Sequence, residues 1–597
     1  MRTVFFMVAL LLPAIVQGAT RYRIVKAGEV VWFEDQSGKR FFSLGVDCAG
    51  GCYGHWEKEP IEAKRREWIS GSLVKWGFNT AACWSSPSLW QGRYVMDQLY
   101  PSFQPEEMDV FDDASWAWNA REDVRTELAA FQGRHEVVGY FLMNEIKWRT
   151  RKLLLVYRGL QPDTPGSRAF REYASGFYGN DISRLNKAWS VSFTGFEDLS
   201  RSTIGDDRAP EDFLDGWRNR VAGRFYEKYA ALVRSIDPGC LILGERNAGP
   251  ADLEYVKAVA PAFDVISVND YNRYGTLNAI YRKYYEATGK PSMITEWSFS
   301  GFDEPGLKSL QNIDVYTQES RAYGYRKYVM NAARAPWMVG MHWFLWNDYG
   351  PWRDRKGKIS ARRREYIPDN NMGLVSHDEK ETYTTLVEEC ARTNAEVEAA
   401  HAAAVTPPPK ADEARPAREE TRRFARAPKV DGVLGEWKGV PGRKAGPGNA
   451  LRERPAFNHI YKVAWTPEGL YLAVDATDTH LDWPGKGWEW EGDYLEVRLR
   501  GGATAAEDSD DGVYMMISPR GEEGTPYVWS WGEKDMGGIR AARKDRKGGF
   551  TLEAFIPEPY LGTGALEAGR QFNGWFTYHN QSDLYDTWWT ASLVLAK

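Results

Sequence analysis

Short apolar runs alternate with longer amphipathic stretches from about Tyr22 to Ala400. This alternation is typical of repeated β-strand and α-helix units, which build a parallel sheet covered by helices. Eight runs are candidate strands, with the weakest pattern in the third: residues 41–47, 78–84, 94–100, 137–145, 240–245, 263–270, 291–297 and 338–346. Eight such units predict an α/β fold, a (β/α)8 TIM barrel, with residues 149–212 as an insertion after the fourth strand.

A change of composition near Val405 divides the chain. Residues 406–423 are rich in proline and charge and nearly lack apolar residues, which is typical of a semi-rigid linker. Beyond them, alternating segments such as 461–478 and 549–558 are separated by turn residues and predict an all-β sandwich. The predicted domains are a signal peptide over 1–18, the barrel over 19–403, the linker over 404–423 and the C-terminal sandwich over 424–597.

The first residues have the pattern of an export signal. Arg2 supplies a positive charge, residues 4–16 form an apolar run, and Val16 and Gly18 are the small residues expected before a cleavage site. The run is too short to span a bilayer comfortably, and no later run reaches the roughly 18 apolar residues that a transmembrane helix needs. We therefore expect a secreted or periplasmic protein with no membrane span.

The composition of the chain limits the kinds of ligand that we expect it to bind. A net charge of -6 offers no basic field for nucleic acid. The 26 tryptophans and 31 tyrosines suit amphipathic ligands such as sugars, although core packing accounts for most of them. The five cysteines contain no CxxC pair, so we expect no zinc site and at least one free thiol. A bridge from Cys48 to Cys52 or Cys83 and buried free thiols are both open, as is the oligomeric state.

Two glutamates carry the strongest chemical signal. Glu145 ends the run 137–145 and Glu296 ends the apolar part of 291–297, so in one parallel barrel both lie at the same face. Two carboxyl groups across one pocket are what glycoside hydrolysis requires. A separation of roughly 5 Å would give a covalent intermediate and retention, and ~6.5–9.5 Å would leave room for water and inversion. The alternative is that each is an ordinary strand-end carboxylate.

The chain resembles clan A retaining glycoside hydrolases in the placing of Asn144-Glu145 and Glu296. Within that clan it is most similar to the β-agarases of glycoside hydrolase family 50. That similarity covers most of residues 40–395 and depends on these segments: residues 41–47, 75–85, 109–112, 139–148, 185–199, 318–329, 339–348 and 371–375. The resemblance implies that Glu145 is the acid/base and Glu296 the nucleophile. Neither a metal nor another cofactor is expected in the reaction.

Further residues are candidate substrate contacts. The resemblance places Tyr271 where clan A enzymes hydrogen-bond the nucleophile, and an amide beside the acid can bind a sugar hydroxyl. Trp343 and Trp346 end the eighth strand, and alternation along a strand predicts that only one faces the pocket. The predicted substrate-binding set is Asn144, Tyr271, Trp343, Trp346, Asp47, Asn79 and Trp84. His342, Asn269 and Arg246 lie at or near other strand ends. A structural hydrogen bond or salt bridge explains each of these positions about as well as a role in the site does.

The C-terminal segment resembles family 9 carbohydrate-binding modules, starting from KVDGVLGEWKGV at 429–440. The resemblance implies that aromatic residues stack on sugar rings, the candidates being Trp488, Trp490, Trp529, Trp531, Trp588 and Trp589. The alternative is a sandwich that only braces the barrel. The acidic run 507–512 is either a calcium site, as the resemblance implies, or a solvated loop.

Together these patterns predict a secreted, retaining, agarase-like β-glycosidase acting on a β-linked galactan or a related polysaccharide or oligosaccharide. Two segments depart from the agarase pattern: residues 146–148 lack a following glycine, and TEWSFSG at 295–301 lacks a phenylalanine and histidine after the glutamate. The substrate and the choice between endo and exo action therefore stay open. The alternatives are an exo-acting β-galactosidase-type enzyme of the same clan and a non-catalytic polysaccharide-binding protein.

Overall fold

The computed structural model describes most of the chain from Arg21 onward. The described ranges are residues 21–50, 62–100, 105–131, 133–200, 208–272, 275–301, 314–316, 318–348, 371–405, 418–444, 446–447, 458–477, 494–501, 513–518, 527–529, 538–561, 566–580 and 585–596. The predicted signal peptide over 1–18 and the acidic run 507–512 lie outside them.

Fourteen strands precede Val405 within the described residues. They are β1 Tyr22–Ala27, β2 Val30–Asp35, β3 Arg40–Phe41, β4 Ser43–Val46, β5 Thr80–Ala81, β6 Tyr94–Leu99, β7 Val137–Leu142, β8 Leu241–Ile242, β9 Asn247–Ala248, β10 Ile266–Asn269, β11 Ser292–Trp297, β12 Ser300–Gly301, β13 Asp314–Tyr316 and β14 Met338–Trp343. Each of the eight predicted runs, including the weak one at 94–100, contributes a strand.

Ten α-helices lie in the same part of the described chain. They are α1 Ala63–Lys75, α2 Asp113–Ala129, α3 Thr150–Gly159, α4 Pro165–Phe177, α5 Ile182–Trp189, α6 Glu211–Ile236, α7 Leu253–Val259, α8 Ile280–Thr288, α9 Gln318–Ala333 and α10 Thr384–Ala402. The predicted insertion after the fourth strand thus contains three helices, α3 to α5. The long helix α6 buries a stripe from Phe213 to Val233 at helical spacing, which packs it against the sheet.

Nine strands form one curled parallel sheet in the order β8-β7-β6-β5-β4-β14-β11-β10-β9. Both ends of that order lie in one short segment, because β8 and β9 are separated only by residues 243–246. The Leu243 amide donates to the Tyr140 carbonyl at 2.8 Å, and the Asp264 amide donates to the Ile242 carbonyl at 2.8 Å. This segment therefore contacts the strand regions at both ends of the sheet.

The sheet separates two apolar clusters. The larger one fills the space between strands and helices and includes Tyr140 and Trp217. The smaller one contains Phe141, Met293 and Val339, which come from alternate positions of the strands, together with Phe33 of the β1–β2 hairpin. That antiparallel hairpin, which also pairs with β3, was not predicted. Its side chains pack against the inner faces of the parallel strands, so both faces of the sheet are buried.

Twelve strands lie in the described part of the C-terminal region. They are β15 Arg418–Arg423, β16 Arg443–Lys444, β17 Gly446–Pro447, β18 Asn458–Thr466, β19 Gly469–Thr477, β20 Tyr494–Gly501, β21 Val513–Ser518, β22 Tyr527–Trp529, β23 Arg540–Arg546, β24 Gly549–Pro557, β25 Gln571–Asn580 and β26 Tyr585–Leu595. β15 pairs with β26 over residues 418–421 and with β18 over 422–423, so one strand links two sets of strands. Leu472, Val497 and Phe576 from both sets share one buried cluster.

Residues 418–423 correct the predicted linker, since they form β15. The highly charged sequence hides this strand, because Thr421 is buried at 3% exposure while its neighbours are arginine and glutamate. Inward-facing Thr421 donates from its hydroxyl to the Val594 carbonyl at 3.1 Å. Composition identifies a charged segment but not the single inward position that anchors it.

The DG…EW segment that begins the C-terminal region surrounds one buried carboxylate. Glu553 of β24, at 1% exposure, accepts from the amides of Asp431 and Gly432 at 3.0 and 2.7 Å and from Trp437 Nε1 at 2.5 Å. Gly432 has φ of 75°, a conformation that glycine adopts without a steric cost. The motif therefore fastens this loop to β24.

Four of the five cysteines lie in the described residues. Cys48 is in a disulfide, whereas Cys83, Cys240 and Cys390 are free and buried. A Cys48–Cys83 bridge is therefore excluded, and Cys52 lies outside the described residues.

Within the described ranges, no helix combines the length and apolar character needed to cross a membrane.

Candidate active site

Both glutamates lie where parallel strands end. Glu145 follows β7, and Glu296 is the penultimate residue of β11. The neighbouring strand β10 is hydrogen-bonded to β11, and its Asn269 is in register with Glu296. Because parallel strands place their carboxyl ends at one edge of a sheet, side chains from distant parts of the chain meet there.

Arg246 is the centre of this edge. Its guanidinium is completely buried and donates to four groups from four strand ends. The acceptors and distances are Asn144 Oδ1 at 2.9 Å, Cys83 Sγ at 3.0 Å, Asp47 Oδ2 at 3.0 Å and Glu296 Oε1 at 2.6 Å. A charged group is tolerated in such a position because opposite charges and hydrogen bonds replace its water.

Glu296 is held through both carboxylate oxygens. Oε1 accepts from Arg246 and Oε2 accepts from the Tyr271 hydroxyl at 3.0 Å, while the residue is only 6% exposed. Burial raises the pKa of Glu296, the Arg246 charge and the two hydrogen bonds oppose that rise, and the nearby charge of Glu145 adds to it. The two glutamates therefore interact electrostatically.

Glu145 is positioned by an amide. Its Oε1 accepts from Asn269 Nδ2 at 3.0 Å, and the same nitrogen lies 3.2 Å from Asn144 Oδ1. Thr295 donates to Asn269 Oδ1 at 2.9 Å, which fixes the amide with its nitrogen toward Glu145. The φ of Glu145 is 52°, a left-handed conformation uncommon for this residue type. Such conformations concentrate at functional sites.

Aromatic rings flank the glutamates. The ring of Trp84 lies 4.8 Å from the Arg246 guanidinium carbon, and Phe344 packs edge-on against Trp84 and Tyr271 at 6.2 and 6.5 Å. Trp84 and Tyr271 are half-buried, so parts of both remain accessible. Rings with a polar edge beside two carboxyl groups suit a sugar ring.

Three predicted substrate contacts have other partners. Asn79 Oδ1 accepts from the Leu44 amide and Nδ2 donates to the Phe42 carbonyl, both at 2.8 Å, so its amide ties neighbouring strands together. Trp343 and Trp346 are both fully buried. Their indole nitrogens donate to the Met372 carbonyl at 3.0 Å and to Glu379 Oε1 at 2.8 Å. The prediction that one of the two tryptophans faces the pocket does not fit these positions.

The other candidates cluster with the glutamates. Asn144, Tyr271 and Trp84 contact the network directly. Asp47 does so only through Arg246, because it has no exposed surface for a substrate hydroxyl. His342 is also fully buried and bonds through Nε2 to the Ser43 hydroxyl at 2.9 Å. Burial, aided by the Arg246 charge, lowers the pKa of His342 to about 3, so this ring is neutral.

Sequence analysis does not single out Phe344, which follows β14 directly and packs against Trp84 and Tyr271. Phe344 lies between Trp343 and Trp346 in the sequence, and no feature of the sequence distinguishes it from core phenylalanines. The Trp529, Trp588 and Trp589 side chains, together with Trp488, Trp490 and Trp531, lie outside the described residues. Among the described side chains, no group of three or more histidine, cysteine, aspartate or glutamate residues is arranged to hold a metal ion.

Comparisons with known proteins point to agarases. Beta-agarase B of Vibrio sp. (strain JT0107) is 24% identical over 361 residues, which are 54% of this chain and 35% of that protein. Beta-agarase A of the same organism is 24% identical over 359 residues, covering 54% and 34%. The chain thus spans about a third of the length of the curated relatives it matches. No family model matches the chain.

Solved structures with a similar fold include agarases. PfGH50B aligns with 64% of this chain and 66% of its own at 19% identity and a TM-score of 0.53. The agarase AgWH50C aligns over the same shares at 17% identity and a TM-score of 0.54. A family 9 carbohydrate-binding module from Caldicellulosiruptor kristjanssonii aligns with 30% of this chain and 94% of its own at 14% identity, with a TM-score of 0.23 that establishes no fold. The α/β sheet described above is consistent with the fold of the agarase structures.

Proposed function

We propose that this chain is an agarase-like glycoside hydrolase that cleaves a β-linked galactan, or a related polysaccharide or oligosaccharide, with retention. The observation that carries the proposal is the pair Glu145 and Glu296 at one sheet edge, joined through Asn144, Asn269 and Arg246. The similarity to two beta-agarases supports the substrate class.

Glu296 is suited to act as the nucleophile. Arg246 and Tyr271 each donate to one of its oxygens, and donors of this kind favour the ionised form. In the first step the carboxylate attacks the anomeric carbon while the bond from that carbon to the leaving oxygen breaks. The product is an ester between the sugar and Glu296.

Glu145 is suited to act as the acid and then the base. It protonates the leaving oxygen in the first step, and its carboxylate then takes a proton from water. That water attacks the anomeric carbon and releases Glu296 as a carboxylate, which restores both groups. Asn144 uses its oxygen toward Arg246 and Asn269, so its nitrogen is left to donate to a sugar hydroxyl.

The finer architecture belongs to the same proposal. Because residues 241–248 contact both ends of the parallel sheet, we infer a closed (β/α)8 barrel that extends over about 19–403. The two strand sets linked by β15 and sharing one core support a β-sandwich from about 418 onward. The N-terminal pattern at 1–18 supports export, and a role for the sandwich in sugar binding follows from its resemblance to family 9 modules.

Replacing Glu296 with Gln tests the nucleophile. The variant should keep its thermal transition and lose turnover, because an amide cannot form the ester. Glu379→Gln is the matched control, since Glu379 is a half-buried glutamate that binds Arg65 and Trp346 instead. The substrates are a panel of β-linked galactans, glucans and mannans, with the first product identified by chromatography and its anomer by NMR. Full activity in E296Q would overturn the assignment.

Glu145→Ala tests the acid/base. Azide should restore release from an aryl glycoside with a good leaving group, because that substrate needs no protonation and azide needs no base. A glycosyl azide of retained configuration is the expected product. Unchanged pH dependence with no azide product would count against Glu145. Monosaccharide as the sole product would indicate a β-galactosidase-type exo-enzyme, and binding to the panel without any hydrolysis would indicate a binding protein.

A further inference from the structure

One guanidinium nitrogen serves two carboxyl groups. Arg246 Nη2 lies 2.6 Å from Glu296 Oε1 and 3.0 Å from Asp47 Oδ2. Both carboxyl groups are buried, at 6% and 0% exposure. A single positive charge therefore faces two potential anions, and the reaction proposed above requires only Glu296 to be one.

The contacts of the two carboxyl groups are unequal. Glu296 has the shorter bond to Arg246 and a second donor in Tyr271. Asp47 Oδ1, by contrast, is buried and has no hydrogen-bond partner among the described residues. A buried oxygen without a donor destabilises an ionised carboxylate far more than it destabilises a neutral acid. The first negative charge of the pair therefore belongs on Glu296.

Burial and the neighbouring carboxyl groups also favour a neutral Asp47. Burial raises the pKa of Asp47 to about 8, against the lowering effect of Arg246 and with a further rise from Glu296 and Asp97. Asp97 accepts from two backbone amides, and burial raises its pKa to about 6. Cys83, which faces Arg246, has its pKa raised by burial and stays a thiol.

We propose that Asp47 is a positioning residue that acts as a neutral carboxylic acid, orienting Arg246 toward Glu296 while leaving the guanidinium charge to the nucleophile. Loss of the Asp47 proton divides that charge between two anions and loosens Glu296. The effect on catalysis rests on the proposed function, whereas the protonation state of Asp47 does not. Asp47 touches no substrate, since it acts only through Arg246.

Asp47→Asn is the decisive variant, because an amide keeps the acceptor for Arg246 and has no proton to lose. At pH 6 its kcat/KM should lie within about threefold of the parent value. The parent profile should decline through an inflection near pH 8 that D47N lacks. Asp97→Asn removes another buried carboxyl group that does not contact Arg246, so it should retain the inflection, moved to lower pH because the Asp97 charge no longer raises the pKa of Asp47. Asp47→Ala, which lacks the acceptor, should lose at least about tenfold in kcat/KM.

A loss of more than about tenfold in D47N at pH 6 would overturn the proposal, because it would show that Asp47 must be an anion. An unchanged alkaline inflection in D47N would also overturn it. Difference infrared spectroscopy of the two proteins gives a readout that needs no activity. A protonated-acid carbonyl band at pH 6 that D47N removes supports the neutral acid, and a carboxylate band in its place refutes it. If no substrate is cleaved, the function fails while this measurement still decides the state of Asp47.

Discussion

The Tyr271 hydroxyl offers a quantitative test of how Glu296, the proposed nucleophile, is held. Tyr271→Phe removes the donor 3.0 Å from Glu296 Oε2 and leaves the Arg246 bond to Oε1 intact. A hydrogen bond to a charged group contributes about 1.5–3 kcal/mol, and the half-buried position of Tyr271 favours the lower part, about 1.5–2 kcal/mol. At 1.36 kcal/mol per factor of ten, kcat/KM should fall roughly 10–30-fold.

The pH profile gives the sign of the effect. The Tyr271 bond lowers the pKa of Glu296, so its removal should raise that pKa and move the acidic limb of kcat/KM to higher pH. The assay is kcat/KM between pH 4 and pH 9 on whichever substrate of the panel gives the highest rate, with thermal denaturation as the check on folding.

Tyr281→Phe is the matched control. Tyr281 is fully buried, and its hydroxyl donates to Asp270 Oδ2 at 2.7 Å without contacting either glutamate. The control should lower thermal stability and leave kcat/KM within about threefold of the parent. A Y271F variant within threefold of the parent, or an equal loss in Y281F, would refute the reasoning.

Two further predictions concern stability. Asn79→Ala should lower the free energy of unfolding by about 1–3 kcal/mol, since the Leu44 amide and the Phe42 carbonyl lose their partners. Chemical denaturation measures this loss, and kcat/KM of the folded enzyme should stay unchanged. A catalytic defect without a stability defect would instead support a substrate contact for Asn79. Glu553→Ala should lower the free energy of local opening around the loop at Gly432 by about 3–6 kcal/mol, because three donors lose their acceptor. Faster hydrogen exchange at the Gly432 amide is the measurement, and unchanged protection there would contradict it.

The strands and the two glutamates could be predicted from the sequence because each depends on local pattern. A short, mainly apolar run that ends in a carboxylate is visible without knowledge of its neighbours. Periodicity identified all eight runs, including the weak run at 94–100. The hairpin β1–β2 is not predicted from the sequence, because charged and apolar residues alternate only weakly in Tyr22–Ala27.

The connections of the site could not be predicted, because they depend on which strand ends become neighbours. The sequence fits structural and functional roles equally well for Arg246 and Asn269, and only three-dimensional contacts show that they bond to the glutamates. The tryptophans after β14 show the converse. Alternation assumes a regular strand, but β14 ends at Trp343, so the position of Trp346 follows from the loop beyond it and not from strand geometry.

The sequence distances bridged by Arg246 have a consequence for how the protein acquires activity during folding. Its partners Asp47, Cys83, Asn144 and Glu296 lie 199, 163, 102 and 50 residues away along the chain. Contacts of such long range form late, because the entropy of closing each loop must be offset before the contact contributes. The charged centre should therefore assemble in one cooperative step near the end of folding, so that partly folded chains, including those still being synthesised, lack the contacts that hold Glu296.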